Sequence, residues 1–510
     1  MRTQAEWRLS AAATVLGMLL LASLECHAAV QTASPAGETP ALPAALLERI
    51  EQVLRAARQF GEELWPGWRP AATPLAVFKG AEMTVLVGHP APPANFRRFP
   101  TPAVSASVFV ADSTAGFLRA NTAQPFAGTL TSFFAYNDFM KPAAAEGLAL
   151  ALHEMFHAEL SRVAPRKVGN ILVVLWGDYP EFSARNRALL ALEAQLLYRA
   201  AAGEEAQTRS NAALFLGVRA ERRKELTAEL AGYESGEESS EGLARYIEWR
   251  ALGLLPGLGP EFKEAAVGGA ARLEPLKNIN KLERDRERFY ALGMAQAIAL
   301  DRLRPQWKKE FAATPALLDE LLAGAAPAAS AEEVTRAMEK LSFDRLLGEQ
   351  EKALTERQEQ GQARLAALVS SPGRRLVVEI GELKNRPALR GFNPNGSVLL
   401  TPGQVLHDFL LLDLGSDPAQ RFRLEFRGVP ALYDRLQNAF WCLLPAEAVT
   451  QALEAYTKAP AGAALVVQAP GFRGEFTGMQ VERRGGELRI RPIQDLIKKP
   501  QLAPPTFVRP

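Results

Sequence analysis

The stretch Gly147-Leu-Ala-Leu-Ala-Leu-His153-Glu154-Met-Phe-His157-Ala-Glu-Leu160 sets an H-E-x-x-H pattern inside an apolar, helix-forming run. A helix turns once per about 3.6 residues, so His153 and His157 stand one above the other on a single face. Two imidazoles so placed can share one Zn²⁺, at about 2.0–2.1 Å from each ring nitrogen. Glu154, one position round the helix, can reach a water on the open side of such an ion. The spacing points to metal-assisted hydrolysis with Glu154 as general base, and a buried histidine pair without metal is the other reading.

The chain has 510 residues, 48% hydrophobic and 23% charged, with a formal net charge of +2. That length exceeds the about 100–200 residues of one ordinary core, and the composition is that of a globular protein. The near-neutral balance gives no electrostatic footprint for a nucleic-acid partner. Arg2 and Arg8 precede an apolar run over residues 11–24, followed by Cys26-His27-Ala28. This predicts a signal peptide over 1–28 and an exported protein, periplasmic or extracellular. The run is shorter than the roughly 20 residues a membrane span needs, and no later stretch is apolar enough, so no integral span is expected after signal removal. Cys26 leaves with the signal, so Cys442 stays alone and no intrachain disulfide is expected.

Residues 29–43, rich in Ala, Pro, Thr and Ser, read as a flexible leader. Helical spacing holds over 46–64, and β-like runs follow at 75–78, 84–87, 104–110 and 128–136. Short strands beside the H-E-x-x-H helix predict an α+β catalytic lobe reaching to about residue 180. The strand at 128–136 either offers a free edge to an extended peptide or lies inside its sheet. The rest of a first domain over 44–365 is mostly helical, with helices at 181–201, 206–231, 239–253, 284–304 and 331–365. After Ser371-Pro372-Gly373 the runs at 376–380, 397–400, 409–414, 422–426, 464–468 and 488–490 predict a β-rich accessory domain over 373–497, followed by a tail at 498–510.

Zinc held by protein needs a third ligand. His89 precedes Pro90 in a loop and His407 falls in the β-rich part, so a carboxylate is the better candidate. Glu234, Glu238 and Glu241 recur at i, i+4 and i+7, which places them on one face of an uninterrupted helix. Stacked carboxylates repel unless cations lie against them. Zinc at Glu241, with Arg219 or Arg222 at the others, would meet that need, and a solvated acidic loop is the other reading. Glu193, among apolar neighbours, is either a carboxylate behind a ligand histidine or a helix-surface group.

His153-Glu-x-x-His157 followed by Glu241-Gly-Leu-Ala-Arg-Tyr246 resembles the gluzincin class of zinc peptidases, and the resemblance covers roughly residues 70–310. It implies a zincin-like catalytic lobe, one Zn²⁺ per chain held by His153, His157 and Glu241, Glu154 as catalytic base, and a peptide or protein substrate. The zinc aminopeptidases share this arrangement. In them a Tyr in a Tyr-x-x-Gly context beyond the ligand Glu stabilises the oxyanion. By that resemblance Tyr290, in Phe289-Tyr-Ala-Leu-Gly293, is the oxyanion donor, and a core-packed helix tyrosine is the other reading. The chain has no Gly-x-Met-Glu-Asn segment, which in aminopeptidases binds the substrate amine, so the expectation is an endopeptidase. The alternative from a different class is a non-catalytic zinc-containing envelope binding protein.

Overall fold

The computed structural model describes residues 42–493 apart from 81, 113–116, 118–120, 142, 166, 168–178, 266–270, 282–286, 382–388, 396, 418–419, 459, 461–462 and 485. The expected signal peptide, nearly all of the leader and the tail lie outside the described residues. The chain separates into two units, divided at Thr355/Glu356 within one long helix, ahead of the 365/373 boundary expected from the sequence.

In the first unit, α1 (Ala44–Leu64) buries Leu46, Ile50, Val53, Leu54, Ala57, Phe60 and Leu64, an apolar stripe at helical spacing. A six-stranded sheet follows: β1 (Leu75–Lys79), β2 (Met83–Val87), β3 (Arg97–Arg98), β4 (Val108–Ala111), β5 (Thr122–Phe126) and β6 (Thr129–Ala135), in the order β3-β4-β2-β1-β6-β5. The apolar run at 128–136 turns out to be half of a hairpin. Ala127 (φ 44°) and Gly128 (φ 79°) form a two-residue turn in the left-handed region, the kind whose twist suits paired strands. β6 is therefore internal, antiparallel to β5 and parallel to β1, and it is β5 that borders the sheet.

A short helix α2 (Tyr136–Phe139) leads into α3 (Ala144–Val163), which carries the H-E-x-x-H pattern and lies against β5 and β6. Phe156 anchors it by packing edge-on against Trp65 and Trp68, with ring centroids 5.1 and 5.2 Å away.

Among the described residues the remaining α-helices of this unit are α4 (Ala184–Ala202), α5 (Glu205–Arg222), α6 (Ala228–Glu237), α7 (Leu243–Leu254), α8 (Glu287–Leu303), α9 (Trp307–Ala313), α10 (Leu318–Ala325), α11 (Ala331–Lys340) and the first part of α12 (Phe343–Ser370). Two expected helices are broken. The run at 206–231 stops where Thr227 caps a new helix, its hydroxyl accepting from Leu230 N at 3.3 Å, and the run at 331–365 stops at Ser342 (φ 58°). Conversely α6 and α7 are one continuous helical run, joined through a π turn over Glu238–Gly242.

The second unit is β-rich. Among the described residues its strands are β7 (Arg374–Glu379), β8 (Leu389–Asn395), β9 (Val398–Thr401), β10 (Gln404–Asp417), β11 (Gln420–Asp434), β12 (Ala439–Leu444), β13 (Leu465–Ala469), β14 (Phe472–Phe476), β15 (Met479–Arg484) and β16 (Glu487–Pro492), with the end of α12 before them and the helix α13 (Ala446–Lys458) after β12. They form a single sheet, antiparallel except where β16 runs parallel to β7. The strands β10 and β11 are much longer than the apolar runs that announce them. The chain thus mixes helices with two mixed sheets and ends in a β-rich region. No helix among the described residues is long and apolar enough to cross a membrane.

Candidate metal centre

His153 and His157 leave the same face of α3 and bring their Nε2 atoms to 3.2 Å of each other. Glu241 comes from the π turn, with Oε2 at 3.6 Å from His153 Nε2 and 3.4 Å from His157 Nε2. A tetrahedral ion with bonds of about 2.0–2.1 Å separates its ligands by roughly 3.3–3.4 Å. The three donor atoms therefore stand at the spacing that one zinc would require, and two imidazoles with a carboxylate are a donor set suited to it.

The rear of the site supplies a second observation. His153 Nδ1 is buried without a hydrogen bond, and Glu248 Oε1 lies 3.6 Å from it. A carboxylate behind a ligand histidine fixes its tautomer and ring orientation. Glu248 itself is 2% exposed and is held on its other oxygen by Arg245, at 2.8 Å. The Glu154 carboxylate is buried and lies within 4.8 Å of the histidine ring nitrogens. Burial raises its pKa above the ordinary carboxylate value, His153 and His157 pull it down, and Glu241 and Glu248 push it up again.

Tyr290, on α8, faces His153 with nearly parallel rings, 6.3 Å between centroids and 18° between planes. The Arg245 guanidinium lies over the Tyr290 ring, 5.5 Å from its centroid. The structure thus brings together the five residues singled out in the sequence: His153, Glu154, His157, Glu241 and Tyr290.

Two glycines make this convergence possible. A Cβ on Gly242 would stand 2.5 Å from Gly293 Cα, and one on Gly293 would stand 2.2 Å from Glu238 O. Helix α8 thus meets the π turn backbone to backbone at Gly293, one turn after Tyr290.

The other carboxylates of the expected acidic stripe go elsewhere. Glu238 accepts from Arg219 at 2.6 Å and from Gln296 at 2.7 Å, and Glu234 accepts from Arg222 at 2.7 and 2.8 Å. Burial alone would raise the pKa of Glu234, but Arg222 overrides this and holds it at about 2. Glu193 is fully buried, accepts from Arg219 at 3.0 Å and also binds Arg222. It is neither behind a ligand histidine nor on a helix surface, because two guanidiniums on α5 claim it.

Glu248, which takes the place behind His153, follows Glu241 at i+7, and that spacing was its one signal in the sequence. Among the described residues the other two histidines, His89 and His407, have pairings of their own. His89 Nε2 pairs with Phe126 O at 3.0 Å, and the buried His407 Nδ1 pairs with Ser397 Oγ at 2.7 Å. Cys442 is buried and burial pushes its thiol pKa up, as befits a small core residue.

Beside the histidines α3 and α7 border an open cleft of about 480 Å³, lined by Lys141, Glu146, Leu150, Arg245, Glu248 and Arg272. No family model, curated protein or solved structure matches the chain.

Proposed function

We propose that the chain is an exported zinc-dependent peptidase whose first unit is a zincin-like catalytic lobe. The observation that carries this reading is the triangle of His153 Nε2, His157 Nε2 and Glu241 Oε2, with sides of 3.2, 3.4 and 3.6 Å, assembled from two helices beside a buried glutamate. Bound there, zinc would lower the pKa of water toward about 7 and polarise a substrate carbonyl.

The remaining roles belong to side chains. Glu154 takes a proton from the attacking water and later delivers it to the leaving amine, and its burial suits it to both steps. Glu248 orients His153 through Nδ1, a positioning role. Tyr290 is the candidate donor to the oxyanion, supported by its ring lying against that of His153. Among the described residues no strand pairs with the outer edge of β5, which lies along α3 and so offers backbone donors and acceptors to an extended peptide. With no Gly-x-Met-Glu-Asn segment to hold an amine, the reading favours internal cleavage over aminopeptidase action.

The test is metal content by mass spectrometry on the purified chain, paired with cleavage of a peptide mixture. Wild type should carry about one zinc, and Glu154→Gln should keep it while losing about 10²–10⁴-fold in rate. Zinc absent after supply, or cleavage undiminished in Glu154→Gln, would overturn the proposal.

A further inference from the structure

The cleft beside the histidines is lined by residues that, Glu248 apart, the hydrolytic scheme leaves unused. Arg245 and Arg272 line it with Lys141, facing two carboxylates, Glu146 and Glu248. Both carboxylates are already committed. Glu248 binds Arg245 at 2.8 Å and stands behind His153, and Glu146 binds Arg272.

The cations are not used up in return. A guanidinium carries five donors in a fixed fork, and one carboxylate engages at most two of them. Arg272 Nε is buried without a hydrogen bond, and Glu248 Oε2 lies 3.8 Å from it. Lys141 is half-exposed and stands 3.7 Å from Asp138. Each of the three cations thus has one carboxylate beside it, two of them in the lining and Asp138 outside it, and the guanidiniums keep N–H donors beyond those pairs.

Its position connects it to the chemistry. Leu150 lies one turn before His153 on α3, Glu248 touches His153 from behind, and Arg245 lies over Tyr290, which faces the same histidine. We infer that this cleft binds a carboxylate of the peptide substrate next to the bond that is cut, either its C-terminal group or an Asp or Glu side chain. The inference rests on the peptidase reading and names its substrate class. A planar carboxylate matches the paired N–H groups of a guanidinium, whereas a substrate amine would find both lining carboxylates already held by arginines.

Binding, rather than turnover, tests this independently of the metal. Full-length Glu154→Gln chain, with zinc and without it, is titrated calorimetrically with three probes. These are N-acetyl-tetraalanine with a free C-terminus, its C-terminal amide, and the same amide carrying Glu at the last position. At least one carboxylate probe should bind about tenfold more tightly than the plain amide, with or without zinc, and the stronger of the two identifies the source of the carboxylate.

Lys141→Gln and Arg272→Gln should each shrink that ratio without weakening the plain amide, and Arg272→Lys should restore part of it. Equal binding of all three probes, a ratio that vanishes when zinc is withheld, or a ratio untouched in both Gln variants would overturn the inference. A ratio that persists in a chain retaining no zinc would support the cleft and sink the peptidase reading, so the two failures are distinguishable.

Discussion

Gly242 and Gly293 lie against each other so closely that a methyl group on the first would stand 2.5 Å from the Cα of the second. One glycine follows the candidate ligand Glu241 and the other lies one turn beyond Tyr290, so a single backbone contact sets both sides of the site. Gly242→Ala or Gly293→Ala must push α8 away from the π turn, at a cost of about 1–3 kcal/mol in stability. Zinc affinity should fall with it, by about tenfold or more as Glu241 is displaced. Gly232, on the same helical run, has open space around its Cβ position, and Gly232→Ala should instead stabilise by up to about 1 kcal/mol. Urea melts and competitive zinc titrations of the three variants check this, and equal behaviour of all three would refute it.

Glu241 and Glu248 should separate cleanly in metal titrations. Glu241→Ala removes a donor atom and should abolish stoichiometric zinc binding at micromolar metal. Glu248→Gln leaves all three donors in place and loosens only His153, so it should retain one zinc with affinity lowered about 10–100-fold. Identical losses would mean that Glu248 holds the fold rather than the histidine.

The buried Arg219 and Arg222 bind Glu193, Glu234 and Glu238 between them, and Arg222 is fully enclosed. Arg222→Met leaves two carboxylates buried with reduced compensation and should cost about 3–5 kcal/mol in a denaturant melt. Arg185→Met removes a cation that is 42% exposed and paired with Glu221 and Glu225 on the surface, and should cost less than about 1 kcal/mol.

Burial lowers the pKa of His407 from its ordinary 6.5 to about 3. The folded chain keeps this imidazole neutral while the unfolded chain protonates it, so its contribution to stability is whole above about pH 6.5 and is lost as pH falls toward 3. The loss should reach about 2 kcal/mol by pH 5, before most carboxylates titrate. Melts at pH 7.5, 6 and 5 should show it, and His407→Gln should flatten that dependence. An unchanged slope in the variant would place the effect elsewhere.

The legibility of the sequence follows the range over which each feature is specified. The helix around His153 and His157 is local: five residues fix the spacing of the histidines and the position of Glu154 between them. The helical run at 46–64 and the β-like segments after residue 373 are similarly local. Glu241 can be singled out because Glu-Gly-x-Ala is itself a short pattern.

Features set by contacts from elsewhere are hidden. Nothing in Glu238-Ser-Ser-Glu-Gly242 announces a π turn, so α-helical periodicity puts Glu234, Glu238 and Glu241 on one face, and the structure divides them between two guanidiniums and two histidines. Glu193 looks like any glutamate in a helix until α5 supplies Arg219 and Arg222. The turn at Ala127-Gly128 lies at the start of an apolar run and makes β6 internal, which no count of apolar residues reveals.

The π turn over Glu238–Gly242 is a slip of phase within one rod. On an unbroken helix Glu234, Glu238, Glu241, Arg245 and Glu248 would form one stripe, but here the first two lock the interior and the last three address the histidines. The widened turn is held at one end by Arg219 and at the other by whatever Glu241 binds. Removal of metal would free the second end alone, so amide hydrogens around Ser239–Leu243 should lose protection against exchange before the rest of the helix does. The site would then report its own occupancy through the breathing of a single turn.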